Sequence, residues 1–262
     1  MKMPPLIHQN TPAPANPGSA IGQPRSMKDE TGGASLVMRK FQIASLTRSG
    51  AIYRTDQIGP ATPLFESAFS AFAHGTLIKT VDGMIAIEDL QPGTPIVTAE
   101  AGPQPLQWIG SMTLVPNRQG AAPETAQLTR FMADSLGPAR PATDLMAGPA
   151  ARLLTRPTDL HDIAGTDTVL APAHELSDGV HVINITPPRP VTVYHLCLRR
   201  HATIAAAGLE VETFHPGTRF EQQVGPNMLS LFLSFFPHIH TPSDFGPLAY
   251  PRVSLNGPSD IA

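Results

Sequence analysis

Short apolar segments separated by glycine, proline and aspartate recur along most of the chain, a pattern typical of β-strands joined by tight turns. TLIKTV (76–81) and MIAIEDL (84–90) flank the dipeptide Asp82-Gly83, which favours a two-residue hairpin turn. Pro92-Gly93 then turns the chain into a third segment, and a longer β segment with the only tryptophan follows. This cadence predicts a mainly β domain, not alternating strands and helices.

The later part of the chain continues the pattern. TVLAPAHELSDGVHVINITPP (168–188) predicts strands on either side of a Ser-Asp-Gly turn. The segments 191–198 and 201–206 predict a hairpin that turns at Arg199-Arg200, and 209–214 predicts one more strand. The β domain is therefore expected to continue as far as residue 217.

Composition divides the chain into four parts. Residues 1–35 are rich in Pro, Gly, Ser and Asn and are expected to form a disordered leader, because they have few large apolar side chains to bury. A preceding segment, 36–69, recovers hydrophobicity, and the β domain covers 70–217. The remainder, 218–262, is expected to be an irregular or short-helical extension, with a helix over the apolar segment 228–236.

Charge and cysteine content exclude several classes of function. The net charge is −3, and no dense block of Lys and Arg is present, which argues against a nucleic-acid groove. Cys197 is the only cysteine among the 262 residues, so an internal disulfide or a cysteine-only zinc site is excluded. The pair His238 and His240 has ligand-like spacing, but no carboxylate or thiol partner is fixed beside it. We expect no cofactor and no metal.

The sequence also argues against a membrane-embedded or conventionally secreted protein. No N-terminal apolar run is long enough for a signal peptide. The longest apolar segment, 228–236, is far shorter than the ~20 residues of a membrane-spanning helix. A cytoplasmic location is the default expectation, with unconventional secretion as the open alternative.

Taken in order, the motifs from residue 70 to residue 214 resemble the Hint domain, the fold shared by hedgehog autoprocessing domains and inteins, in its bacterial form. The family pattern runs from Cys-Phe through Gly-Thr, an apolar pair, an Asp-Gly hairpin, a Val-Glu-Asp-Leu-like strand and Pro-Gly to a Gly-Gln-Pro loop and Trp-Ile-Gly. The matching residues are Phe72, Gly75-Thr76, Leu77-Ile78, Asp82-Gly83, Ile87-Glu88-Asp89-Leu90, Pro92-Gly93, Pro103-Gln104-Pro105 and Trp108-Ile109-Gly110. The segment 191–214 is similar to the closing β hairpin of the family. The resemblance implies a compact, mainly β fold.

The same resemblance implies an acyl shift. In the family, a thiol or hydroxyl at the first Hint residue attacks the preceding peptide carbonyl, and a histidine protonates the scissile amide. The first position here is Ala71. The family segment Asp-Leu-Leu-Leu-Ser-Pro-Asp-His matches DLMAGPAA, which places Ala151 at the histidine position. Both catalytic positions are therefore expected to be degenerate, with no catalytic residue in place.

Ser70 and His174 are the candidates for residual self-cleavage near residue 70. Ser70 would be a displaced nucleophile, although a shift of one residue in an extended segment turns its side chain to the opposite face. His174 would be the helper histidine if the middle of the chain aligns differently. This alternative predicts a new N-terminus at residue 70 or 71.

A further alternative is a hydrolase that depends on Cys197. Strand alternation puts His195 and Cys197 on one face, where a Cys–His nucleophilic pair is conceivable. A lone cysteine in an apolar strand is more often a small buried hydrophobic residue, and that is the interpretation we favour. His195 and His201 are expected to be structural hydrogen-bonding residues.

The favoured interpretation is a Hint domain that is catalytically degenerate, is not an enzyme, and acts as a binding or structural module. The segment 228–236 is the candidate surface for a protein partner. Burial of this segment against the β domain is the use we favour.

Overall fold

The structure, a computed structural model, describes residues 1, 37–116, 126–156 and 167–255. The predicted leader 1–35 lies outside the described residues, apart from residue 1. Antiparallel strands dominate the rest, so the prediction of a mainly β fold is confirmed. Among the described helices, none combines the length and the apolar character needed to cross a membrane.

Most of the elements are short, as the frequent turn residues predict. The strands are β1 Met38–Leu46, β2 Ile52–Pro60, β3 Phe72–Ala73, β4 Leu77–Thr80, β5 Gly83–Ala86, β6 Pro95–Thr98, β7 Gly102–Leu114, β8 Leu128–Phe131, β9 Leu145–Ala147, β10 Arg152–Thr155, β11 Val169–Pro172, β12 Val182–Ile185, β13 Val191–Leu198, β14 Thr203–Ala206 and β15 Leu209–Glu212. The helices are α1 Pro63–Ser67 and α2 Pro226–Leu233, and single 3-10 turns cover Ile87–Asp89, Ala173–Leu176, Phe220–Gln223 and Pro242–Phe245.

Strand β7 organises the sheet because it pairs with different strands along its length. Its first residues pair with β6, with Pro95 opposite Pro105. Its second part pairs with β1 on one edge and with β13 on the other, so that Trp108 lies opposite both Ser45 and Cys197. The Pro103-Gln104-Pro105 segment, expected to be a loop, is therefore part of a strand, since its backbone completes the ladder to β6.

One predicted hairpin is confirmed and one is wrong. β4 and β5 pair as predicted, but Gly83 lies opposite Thr80 as the first residue of β5, so the two turn residues are Val81 and Asp82 and not Asp82 and Gly83. The segments 191–198 and 201–206 do not form a hairpin, because β13 pairs with β3 and β7 while β14 pairs with β15. The tight turn lies instead at Ala207-Gly208, two residues with positive φ (49° and 92°), which is the geometry that two-residue hairpins favour.

Two clusters of apolar side chains form the core, and β13 lies between them. Leu196 and Leu198 belong to the cluster that also holds Ala71 and Ala151. Val193 and Cys197 point into the second cluster, which is rich in aromatic rings. Its aromatic members are Phe41, Phe65, Phe69, Trp108, Phe214, Phe220, Phe232, Phe235, Phe236 and Phe245.

The apolar segment 228–236 packs into this aromatic cluster. The helix spans Pro226–Leu233, so it begins before the predicted start and ends earlier than predicted. Phe232, Phe235 and Phe236 are fully buried, and the Trp108 Nε1–H donates to the Phe235 carbonyl at 2.8 Å. The aromatic side chains that suggested a partner surface are thus occupied inside the protein.

Candidate functional site

The two positions singled out by the family pattern lie on adjoining backbone segments. The Ala150 N–H donates to the Ser70 carbonyl at 3.0 Å, and the Gly148 N–H donates to the Ala71 carbonyl at 2.8 Å. The Ala71 N–H in turn donates to the Tyr194 carbonyl at 2.9 Å. The peptide bond between Ser70 and Ala71 is therefore held by backbone hydrogen bonds from two directions.

The side chains at the two positions are buried and apolar. Ala71 is 0% exposed and Ala151 is 1% exposed, and both belong to the same core cluster. A methyl group has no lone pair with which to attack a carbonyl and no acidic proton to donate to an amide nitrogen. These two side chains can pack, but they cannot perform general acid–base or nucleophilic catalysis.

Gly148 is the residue that permits this close approach, and sequence reasoning missed it. A Cβ at position 148 would lie 2.1 Å from the Ser70 carbonyl oxygen and 2.7 Å from the Ser70 carbonyl carbon. The alignment that places Ala151 at the histidine position also places Gly148 where the family pattern has serine. The available signal was the glycine itself, at a position where any side chain would overlap the Ser70 backbone.

Ser70 is placed next to this peptide bond, but its hydroxyl is engaged elsewhere. Its Oγ–H donates to the Glu66 carbonyl at 2.7 Å, and the residue is 1% exposed. The adjacent cavity of about 170 Å³ has Ser70, Glu66 and Arg152 among its lining residues, and none of the histidines that the structure describes lines it. No described residue is therefore positioned as an imidazole base for this hydroxyl.

The turn that carries His174 lies beside residue 151, but the His174 side chain does not contact Ser70. The Ala173 N–H donates to the Ala151 carbonyl at 2.9 Å, which brings the Ala173–Leu176 turn beside residue 151. The His174 ring itself is 49% exposed, and its Nε2 is 3.9 Å from a Glu175 carboxylate oxygen. The structure does not bring the two proposed substitutes together.

Cys197 lies within the sheet and packs into the aromatic cluster. Burial raises the pKa of its thiol to about 12, so the thiolate is absent at neutral pH. His195 accepts a hydrogen bond from the Leu196 N–H at its Nδ1, and no Cys197–His195 hydrogen bond forms in the described part of the chain. This geometry is that of a small buried side chain.

A buried carboxylate that the sequence does not single out lies at the end of β15. Glu212, 2% exposed, is 2.9 Å from both the His201 Nε2 and the Arg252 Nε. The Arg252 Nη2 also donates to the His215 carbonyl at 2.7 Å, and the Arg152 Nη1 lies 3.7 Å from Glu212. Burial alone would raise the pKa of Glu212, but the His201 hydrogen bond and the two guanidinium groups outweigh it and lower the pKa to about 2.

This network joins the sheet to the C-terminal extension. His201 accepts from the Ala249 N–H at Nδ1, so its Nε2 carries the proton donated to Glu212. Arg252 comes from the extension, whereas Glu212 ends β15. The arrangement supports the expectation that His201 is a structural hydrogen-bonding residue. No group of three or more potential metal ligands was found among the described ranges.

His195 is buried between Phe72 and Phe214, with ring centroids 5.9 Å and 5.3 Å away. Burial lowers the pKa of His195 to about 3. The same cause lowers the pKa of His215 to about 4. Both rings are therefore neutral in the folded chain across the range in which an unfolded chain would protonate them.

We expect acid to destabilise this fold between about pH 6.5 and pH 3. The unfolded chain protonates His195 near pH 6.5, whereas the folded chain does so only near pH 3, so protons favour unfolding in this window. Between pH 7 and pH 4, His195 alone should lower the free energy of unfolding by about 3 kcal/mol. Urea denaturation at each pH measures this.

A variant pair separates His195 from the other titrating groups. His195→Asn, whose amide oxygen can replace Nδ1 as an acceptor, should be less stable at pH 7 but should lose about 3 kcal/mol less on acidification. His181→Asn is the matched control, because the His181 side chain is 65% exposed. An unchanged pH dependence in His195→Asn would contradict the assignment of a buried neutral imidazole.

The family model described as Hint domain matches residues 70–218. Among solved structures, the chain is similar to a bacterial intein-like domain from Clostridium thermocellum, solved in solution, at 13% sequence identity and a TM-score of 0.37. That match covers 55% of this chain and 98% of the other. No curated protein matches the chain.

Proposed function

This chain belongs to the Hint domain family, and on that premise we propose that its Hint domain leaves the chain intact and acts as a binding or structural module. The observation that carries the proposal is the pair of buried methyl groups at positions 71 and 151. An acyl shift needs an oxygen or sulfur atom to add to the Ser70 carbonyl carbon, and a proton for the departing nitrogen of residue 71. Neither position supplies the atom required of it.

The backbone around the bond supports the same proposal. The Ser70 and Ala71 carbonyls each accept a backbone N–H, from Ala150 and Gly148, as in a sheet ladder. These hydrogen bonds stabilise the planar ground state of the peptide in a core position, and solvent does not reach Ala71. A bond in this setting contributes to the fold.

The segment before residue 71 is integrated into the domain. β1 pairs with β7 from Phe41 opposite Met112 to Ser45 opposite Trp108. The Arg39 guanidinium on β1 pairs with the Glu66 carboxylate of α1 at 2.7 Å, and both side chains are mostly buried. Cleavage before residue 71 would therefore leave the N-terminal part bound by a strand ladder and a buried aromatic cluster. A release function gains no support from this arrangement.

Intact-mass spectrometry under denaturing conditions tests the proposal. The purified chain, held at pH 7 with dithiothreitol or hydroxylamine, should keep its full mass of 27.9 kDa. Ser70→Ala is the matched variant, because it removes the nearest hydroxyl while leaving the Ser70 and Ala71 carbonyl contacts possible. It should behave like the unaltered chain.

Fragments with a new N-terminus at residue 70 or 71 would contradict the proposal. Fragments that disappear in Ser70→Ala would assign residual self-cleavage to the Ser70 hydroxyl. Persistence of cleavage in that variant would point to a different nucleophile.

A further inference from the structure

β2 is a long strand at the edge of the sheet. It contains nine residues and pairs with β1 along its whole length, and no other strand of the described part pairs with it. No proline interrupts it before Pro60. An uninterrupted edge of this kind presents unpaired N–H and C=O groups to which another strand can add.

The sequence of this edge, IYRTDQI (52–58), is self-complementary when read against itself in the antiparallel direction. We propose that β2 pairs with β2 of a second copy of this chain, antiparallel about Thr55, to form a symmetric dimer. A two-fold interface of this type uses the same surface on both subunits. The facing pairs are Ile52 with the partner's Ile58, Tyr53 with the partner's Gln57, and Arg54 with the partner's Asp56.

Exposed apolar side chains on this strand agree with such a partner. Ile58 is 67% exposed, Tyr53 is 44% exposed and Ile52 is 39% exposed. Ile52 and Ile58 share one face of β2, since side chains alternate along a strand. The two-fold pairing brings an isoleucine to each end of the ladder opposite an isoleucine of the other chain, which covers apolar surface that is open to solvent in the single chain.

The charges specify the register. Arg54 lies opposite the partner's Asp56, and the two charges attract. The two-fold symmetry forms this ion pair twice. A slip of two residues in one direction would place Arg54 opposite the partner's Arg54, and a slip in the other direction would place Asp56 opposite the partner's Asp56. Edges built to prevent pairing carry prolines or charges that repel an added strand, whereas here opposite charges lie on either side of Thr55.

The Arg54 and Asp56 side chains are both accessible to a second chain. Asp56 is exposed, and its Oδ2 is 2.7 Å from the exposed Lys40 Nζ, a surface pair that contributes little. Arg54 is exposed and donates to the Gln91 side-chain oxygen. Both side chains keep hydrogen-bonding capacity for a second chain.

Light scattering coupled to size exclusion, over a range of concentrations, tests the dimer in the full chain. The mass in native buffer should rise with concentration from 27.9 kDa towards twice that value. Asp56→Arg and Arg54→Asp should each weaken self-association by about tenfold or more, because each turns two attractive pairs into repulsive ones. The double variant Arg54→Asp with Asp56→Arg should restore it, since the opposite charges then face each other again.

Lys40→Gln is the matched control, since it removes the other charge beside Asp56 and should leave self-association unchanged. Far-ultraviolet circular dichroism establishes that each surface variant is folded. A chain that stays monomeric at every concentration, an Asp56→Arg variant that still dimerises, or a double variant that does not recover would overturn the proposal. Dimerisation seen only after deletion of residues 1–36 would overturn it too, and would assign the edge to the leader. Self-association and cleavage are measured separately, because the mass under denaturing conditions reports chain integrity and the mass in native buffer reports association.

Discussion

Replacing Gly148 by alanine should destabilise the fold by about 3 kcal/mol or more and leave little soluble folded protein. The new Cβ would lie 2.1 Å from the Ser70 oxygen and 3.3 Å from the Ala71 carbonyl carbon. Both are backbone atoms, and the segment that carries them is held by hydrogen bonds from Ala150 and Gly148 and to Tyr194. Relief of the overlap therefore requires breaking part of this ladder. Chemical denaturation followed by circular dichroism measures the loss.

Gly225→Ala is the matched control for this experiment. Gly225 precedes α2, and a Cβ there would meet nothing within 4 Å. Its φ of −70° is open to alanine, so the substitution should change the free energy of unfolding by less than about 1 kcal/mol. If Gly148→Ala behaves like Gly225→Ala, the 148–151 segment is not packed against Ser70 as described.

Phe41→Ala should cost about 3–5 kcal/mol of folding free energy, because it leaves a cavity in the aromatic cluster. Phe41 is 0% exposed, and its ring centroid lies 4.5 Å from that of Phe69 and 5.5 Å from that of Phe235. It lies outside the matched Hint region, on β1. A large loss would therefore show that the preceding segment belongs to the same cooperative unit as the domain.

Lys40→Ala provides the neighbouring control on the same strand. Its side chain is 62% exposed and its ion pair with Asp56 is at the surface, so the expected cost is below about 1 kcal/mol. Urea midpoints with equal slopes for the two variants would allow a direct comparison. A Phe41→Ala variant as stable as Lys40→Ala would mean that β1 is a dispensable attachment.

Local signals in the sequence predict local structure well in this chain. The Asp82-Gly83 signal locates the β4–β5 hairpin to within one residue of its turn, because the turn and the two flanking strands are contiguous. The pairing of β13 could not be read in the same way, since its partners β3 and β7 lie far away in the chain. The sequence therefore predicts a hairpin turn at Arg199-Arg200, whereas in the structure these residues carry the chain from one group of strands to another.

The candidate site shows the same division. The family pattern identified Ala71 and Ala151 because it compares residue with residue. The contact between Gly148 and Ser70, and the Glu212 network with Arg252, depend on packing between distant segments, which no window of the sequence displays. Composition alone assigns no role to the aromatic residues of the preceding segment, whereas the structure places Phe41 and Phe65 beside Phe235.

Hydrogen exchange at the amides of Gly148 and Ala150 tests the central claim most directly. The Ala150 N–H donates to the carbonyl of the bond that the family pattern marks for cleavage, and the Gly148 N–H donates to the next carbonyl along the chain. If this bond is a fixed part of the core, both amides should exchange as slowly as those of the β7–β13 ladder, through global unfolding alone. Exchange of either amide within minutes at neutral pH, in a chain whose β7–β13 ladder stays protected, would show an open and mobile site and contradict the account.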